Sequence, residues 1–289
     1  MPADPGLESA SGSRERAVGE RPLILGQITP LLITFNEIAN IERTLSKLSW
    51  ASQIVVVDSG STDGTLDVLS ADSRIVVHHR SFDSFAEQCQ FGLSAIKTEW
   101  ALSMDADYVL SDELVAELAG LRDEPAAAGY QAAFRYYVWG APLSATLYPP
   151  RTVLYRVARA TYLNEGHGHR VRIDGTVRRL GAAIFHDDRK ALSRWLGSQQ
   201  RYASTEAHHL LSAPREALSG ADRIRLQGGI APFLVFGYVL IWKRCLLNGR
   251  RGWFYALQRL FAEVILALEI NERRNGPEFK QTTEHVVRK

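Results

Sequence analysis

Ile54-Val55-Val56-Val57-Asp58-Ser59-Gly60-Ser61-Thr62-Asp63-Gly64-Thr65 decides the fold of this chain, together with Trp100-Ala101-Leu102-Ser103-Met104-Asp105-Ala106-Asp107 further along. Each begins as a short apolar run that stops on an acidic residue. Such runs, bounded by turn formers, predict strands buried on both faces, as in a parallel sheet. Ligands of open α/β sheets bind beyond the carboxyl ends of their strands. Two strands therefore deliver Asp58, Asp105 and Asp107 to one edge of a sheet.

Working outward, residues 28–34 predict the first strand. Asn36 stands as N-cap of a helix whose apolar face is Ile38, Ile41, Leu45 and Leu48. Leu66 and Leu69 mark a helix after the first acidic turn, 74–79 a third strand, and Phe85, Ala86, Cys89, Leu93 and Ile96 another helix. Strand and helix alternate at short spacing, the pattern of βαβ units. Beyond Asp107 the pattern changes to a helix over 111–121 capped by Ser111, strands over 130–139 and 151–157, a Gly/His segment at 165–169 and a strand over 182–186. From Leu192 the chain is helical, and 228–270 alternates apolar segments with a basic loop.

With 289 residues, 46% of them hydrophobic, the chain has room for one large domain and an appendage. A net charge of +2 gives no global signature of nucleic-acid binding, and no nucleic-acid partner is expected. Cys89 and Cys245 each fall in an apolar helical pattern, which points to a reducing compartment rather than a disulfide framework. Residues 1–26 carry no apolar h-region and predict a disordered tail. No stretch reaches the ~18–20 apolar residues of a membrane span. The nearest approach, 230–242, is interrupted by Pro232 and Gly237.

Taken alone, the Asp58–Gly64 stretch is an ordinary strand-to-helix turn, and Asp105-Ala106-Asp107 is a common surface pattern. Their order and context carry more. Leu32-Ile33-Thr34-Phe35-Asn36-Glu37, then Val57 to Thr65, then Met104 to Asp107 resemble the successive motifs of glycosyltransferase family 2, inverting enzymes of the GT-A fold. Within that family the chain is similar to the lipopolysaccharide-core and exopolysaccharide transferases, as are His186-Asp187-Asp188-Arg189-Lys190 and the helix over 195–206. The resemblance implies a mostly parallel central sheet flanked by helices, with a C-terminal helical extension. The expected division is a tail over 1–26, a catalytic domain over 27–210 and a membrane-associating helical region over 211–289.

The same resemblance implies the site. Thr34, Asn36, Glu37 and Ser59 would line the nucleotide pocket, Asp58 would accept hydrogen bonds from base or ribose, and Asp63 would support the loop. Asp105 and Asp107 would hold Mn²⁺ or Mg²⁺ against the diphosphate of a nucleoside-diphosphate sugar, a UDP-sugar foremost, with His186 completing the metal site. The general base falls in Glu165-Gly166-His167-Gly168-His169, Glu165 first and His169 second, with Asp174 or Asp187 next in line. The helix after 82 departs from the family pattern, which makes Arg80 the substitute contact to the diphosphate.

The acceptor would be lipid-linked or a glycan, and the protein cytoplasmic, attached peripherally to the inner face of the cell membrane. Three parts of the C-terminal third suggest that attachment: apolar 233–242, basic 243–251, and a helix with Trp253, Leu257, Leu260, Phe261, Val264 and Leu268 on one face and Gln258, Arg259 and Glu263 off it. The competing explanation for those helices is packing on the catalytic domain or a homodimer. A nucleotidyltransferase would place a glycine-rich loop after the first strand, and Thr34-Phe35-Asn36-Glu37 has no glycine. A processive synthase would carry Gln-x-x-Arg-Trp, where this chain has Gln199-Gln200-Arg201-Tyr202. A non-catalytic scaffold would be expected to lose Asp105 or Asp107.

Overall fold

The computed structural model describes residues 21–22, 25–165 and 168–275, and the side chains of 25–163 and 171–275. Most of the expected N-terminal tail lies outside the described residues. Of its last part, β1 (Arg21–Pro22) pairs with a strand a hundred residues on, and Leu25–Gln27 is a 3₁₀ turn.

The expected alternation follows: β2 (Ile28–Thr34), α1 (Ile41–Ser46), β3 (Ile54–Asp58), α2 (Thr65–Ser70), β4 (Ile75–His79), α3 (Phe85–Ala95) and β5 (Trp100–Asp105). After it come β6 (Tyr108–Leu110), α4 (Asp112–Gly120), β7 (Arg122–Asp123), which pairs with β1, and β8 (Ala127–Val138). Then follow β9 (Ala141–Pro142), β10 (Arg151–Arg156), β11 (Ala160–Glu165), β12 (Gly168–Ile173) and β13 (Thr176–His186). The central sheet runs β4-β3-β2-β5-β10-β8-β13-β6. Its first four strands are parallel, and β10 is antiparallel to both neighbours. β13 is parallel to β8 and antiparallel to β6.

All five residues of β3 are buried, because helices cover both faces. Alternation along the strands divides the core. Leu32, Val56 and Leu102 join the cluster with Ile41, Leu45 and Leu114, while Leu31, Val55, Val57 and Ala101 join that of α3 with Tyr155 and Tyr162. Gly92 lets α3 seat closely on β2, since a Cβ there would meet Leu31 Cδ1 at 2.3 Å. The expected face of α1 needs one correction. Ile41, Leu45 and Leu48 are buried, but Ile38 precedes the helix and is exposed.

Beyond the sheet run α5 (Leu192–Ser212), α6 (Gly220–Arg225), α7 (Ala231–Gly237), a π turn over Tyr238–Trp242, a 3₁₀ turn over Cys245–Asn248, and α8 (Arg250–Asn275). Val239, Leu240, Cys245, Tyr255 and Ala256 form a core with Val138 and Leu143, which ties this region to the end of β8. No helix among the described residues is long and apolar enough to cross a membrane. Both cysteines are free and buried, and burial pushes the Cys89 thiol up to about 12.

Candidate active site

β2 and β3 end side by side, with Thr34 opposite Asp58. Asp58 Oδ2 accepts from Thr34 Oγ1 at 2.9 Å and Ser61 Oγ at 2.5 Å, and Oδ1 from the N–H groups of Gly60 at 2.9 Å and Ser61 at 2.8 Å. Burial pushes this carboxyl up, but the four donors outweigh it and hold the pKa below the ordinary 3.8. Gly60 and Gly64 take φ of +94°, which the turn into α2 requires and which residues with a Cβ resist. Asp58 thus braces a turn rather than presenting free oxygens.

Asn36 is not an N-cap. It has φ of +55°, its Oδ1 accepts from the Thr62 N–H at 2.6 Å, and its own N–H donates to Ser61 Oγ at 2.7 Å. Asp63 Oδ2 accepts from the Ile38 N–H at 3.2 Å and Oδ1 from Thr65 Oγ1 at 2.5 Å. The loops after β2 and β3 are therefore one hydrogen-bonded unit, with Ser59 Oγ buried and without a hydrogen-bond partner among the described residues.

The second acidic pair follows from strand order. β5 and β6 are joined through Ala106 and Asp107, and β6 pairs with β13 so that Tyr108 stands opposite His186. This register places His186 Nε2 3.1 Å from Asp107 Oδ2. Burial pushes Asp107 up, but the charge and hydrogen bond of His186 outweigh it and bring its pKa down to about 2. Burial lowers His186, and Asp107 more than reverses that, leaving the imidazole raised above its ordinary 6.5. Tyr136, Tyr148 and Tyr108 enclose the ring, at centroid distances of 4.5, 5.2 and 5.4 Å. Asp107 Oδ1 and His186 Nδ1 are buried with no hydrogen-bond partner among the described residues.

No group of three or more His, Cys, Asp or Glu side chains among the described residues stands together as a metal cage. The donor types nonetheless suit a hard cation: Asp107 offers an unpartnered oxygen, and Asp105, half-buried at the end of β5, lies within electrostatic reach of His186.

Several residues absent from the sequence-derived site close around these carboxylates. Lys190 Nζ bonds Glu37 Oε1 at 2.8 Å, and Asp107, Glu37 and Asp188 together raise its pKa against the effect of burial. Asn40 Nδ2 bonds Asp188 at 3.0 Å and Arg43 bonds Asp187 at 2.7 Å, so the chain after β13 is clamped onto α1. Arg151 stacks over Tyr148 at 4.6 Å, feels the charge of Asp105, and has no ion-pair partner among the described residues. The charge-dense run after a predicted strand was the available signal for Lys190; nothing in the sequence marked Arg151.

Arg80 donates its backbone N–H to the Asp58 carbonyl at 2.9 Å, while its guanidinium pairs with Asp83. Of the two carboxylates next in line as base, Asp187 is buried under Arg43 and Arg189, and Asp174 is exposed beside Arg159. Glu165 and His169 lie on β11 and β12, where Glu165 pairs with Gly168 and Asn164 with His169. Their side chains, and the whole of Gly166 and His167, lie outside the described residues.

The family model described as Glycosyl transferase family 2 matches residues 31–174. An uncharacterized glycosyltransferase of Rickettsia bellii is 36% identical over 98 residues, 33% of either chain. The lipopolysaccharide core biosynthesis glycosyltransferase LpsC of Rhizobium meliloti is 32% identical over 120 residues, 39% of this chain and 44% of that one. The matched stretch thus spans a third to under half of these curated relatives. S. aureus TarS 1–349 in complex with UDP-GlcNAc superposes with a TM-score of 0.45 at 16% identity, covering 86% of this chain and 92% of the other.

Proposed function

From the premise that this chain carries a glycosyltransferase family 2 domain over residues 31–174, we propose that it moves a sugar from a nucleoside-diphosphate sugar, UDP-linked foremost, to a lipid-linked or polysaccharide acceptor of the cell envelope, inverting the anomeric centre. The observation that carries this reading is the buried Asp107 just past the carboxyl end of β5, bonded to His186 and with Oδ1 unpartnered among the described residues. A Mn²⁺ or Mg²⁺ ion held by Asp105 and Asp107, with His186, would supply the charge that neutralises the departing diphosphate.

The chain's own groups do the rest. The joined loops of Thr34, Asn36, Glu37, Ser59 and Asp63 form a wall for the nucleotide, and Arg151 on β10 and Lys190 in the loop after β13 set positive charge against the diphosphate. Asp58 keeps that wall in shape, and Arg80 closes its outer edge. Glu165 or His169 would take the proton of the acceptor hydroxyl as its oxygen attacks the anomeric carbon from the face opposite the leaving group. The protein would work from the cytoplasmic side of the membrane bearing its acceptor.

A panel of nucleotide sugars tests this, each incubated with protein and Mn²⁺ or Mg²⁺ and followed by NMR of the anomeric proton. One donor should be consumed with inversion. Consumption of none, with or without metal and with short lipid or glycan acceptors present, would reject the reading.

A further inference from the structure

Twelve of the twenty exposed large hydrophobic side chains among the described residues fall between positions 230 and 268. The four most exposed of all are Trp242 and Leu247 at 77%, Ile241 at 72% and Phe233 at 70%. They sit on α7 and the two turns that follow it, which fold back upon α8. Trp253, Leu257, Phe261 and Leu268, on the face of α8 read as apolar from sequence, are also exposed, while the buried face carries Tyr255, Ala256, Leu266 and Ile270. Soluble monomers seldom leave so much apolar surface in one region unless something covers it.

Charge says what covers it. Residues 223–262 contain seven Arg or Lys and no Asp or Glu. Lys243, Arg244, Arg250 and Arg251 stand among the exposed apolar side chains, and none forms an ion pair with a described residue. Two copies meeting through this face would bring like charges together in a self-complementary contact. An anionic bilayer satisfies both features, accepting apolar and indole side chains at the interface and attracting the cations. We propose that this face, centred on Phe233, Ile241, Trp242 and Leu247 and rimmed by Lys243, Arg244, Arg250 and Arg251, docks onto an anionic lipid surface.

The face is joined to the site. Ser144 donates to Asn248 Oδ1 through its N–H at 3.0 Å and its hydroxyl at 2.8 Å, and the Leu147 N–H donates to the Tyr255 hydroxyl at 3.1 Å. The next residue, Tyr148, packs against His186. Docking therefore sets the loop beside the catalytic carboxylates at the lipid surface, where a lipid-linked acceptor would present its hydroxyl. This acceptor role rests on the sugar-transfer reading; binding to the bilayer does not.

Flotation of the full chain with vesicles, without any nucleotide sugar, tests the docking. Wild type should float with phosphatidylcholine vesicles containing phosphatidylglycerol and remain unbound with phosphatidylcholine alone at moderate salt. Replacing Trp242→Glu with Leu247→Glu should lower binding at least about tenfold. Changing Lys243, Arg244, Arg250 and Arg251 each to Gln should remove the preference for anionic lipid, at about fivefold per charge. Both variants alter exposed or half-buried surface groups without an ion-pair partner among the described residues and should keep the wild-type urea midpoint. Wild type that stays unbound on anionic vesicles at low salt overturns the proposal, as do variants that float like wild type. A dimer on gel filtration that Trp242→Glu with Leu247→Glu dissociates, without vesicle binding, would assign the face to a second copy. Donor consumption by a protein that fails to float would leave the transfer reading standing.

Discussion

At the scale of single residues, the site is a set of carboxylates with different tasks. Asp107→Asn keeps shape but removes the charge, and kcat should fall at least about a hundredfold, with metal dependence weakened and the protein still folded by circular dichroism. Near-normal, metal-dependent turnover would remove Asp107 from the site. Lys190→Met leaves the mostly buried Glu37 without its cation and should cost about 3 kcal/mol in urea unfolding. Adding Glu37→Gln should recover part of that loss; no recovery would mean that the pair is not what Lys190 serves. Asp58 carries a pH prediction. Its folded pKa is depressed, so its contribution is present above 3.8 and is lost as pH falls through the folded value. Stability of Asp58→Asn should therefore fall less steeply than wild type below pH 3.8, and parallel acid limbs would contradict the assignment. For the base, Glu165→Gln and His169→Ala are compared at saturating donor. One of them should lower kcat at least about tenfold.

At the scale of elements, close approach matters more than propensity. A Cβ on Gly252 would lie 1.6 Å from the carbonyl oxygen of Cys245, so α8 can meet the 3₁₀ turn only through a glycine. Gly252→Ala should cost about 3 kcal/mol in urea unfolding and displace the turn that carries Leu246 and Leu247; an unchanged midpoint would deny the contact. Sequence periodicity found β2, β3 and β5 because a strand covered on both faces is an unbroken apolar run. It misplaced the start of α1, since Asn36 and Ile38 are bound to the loop after β3 and not to a helix. It found the apolar face of α8 correctly but not which way that face points. An apolar stripe records hydrophobicity, and only packing shows that Tyr255 and Ala256 face inward while Trp253 and Leu257 face outward.

At the scale of the whole molecule, the sheet joins two kinds of connection. Parallel β4-β3-β2-β5 carries the joined loops proposed as the nucleotide wall, and the mixed β10-β8-β13-β6 half carries His186, Arg151 and the chain leading to Lys190. A ligand held between the halves should stabilise the full chain by mass action. A matching nucleotide sugar with Mn²⁺ or Mg²⁺ at a hundredfold excess over Kd should add about 2.7 kcal/mol, read as a rise in Tm. A donor that is turned over without raising Tm would contradict binding across that junction. The sequence alone determined the parallel half and its acidic strand ends, because burial on two faces and tight turns leave local patterns in composition. The meeting of His186 with Asp107, 79 positions apart, was implied only by the family resemblance, and its geometry was decided by the tertiary structure. So were the placing of Lys190 against Glu37 and the exposure of Trp242. Each depends on strand order, register or the packing of distant helices, and those are set by contacts between segments that leave no periodic trace in either one.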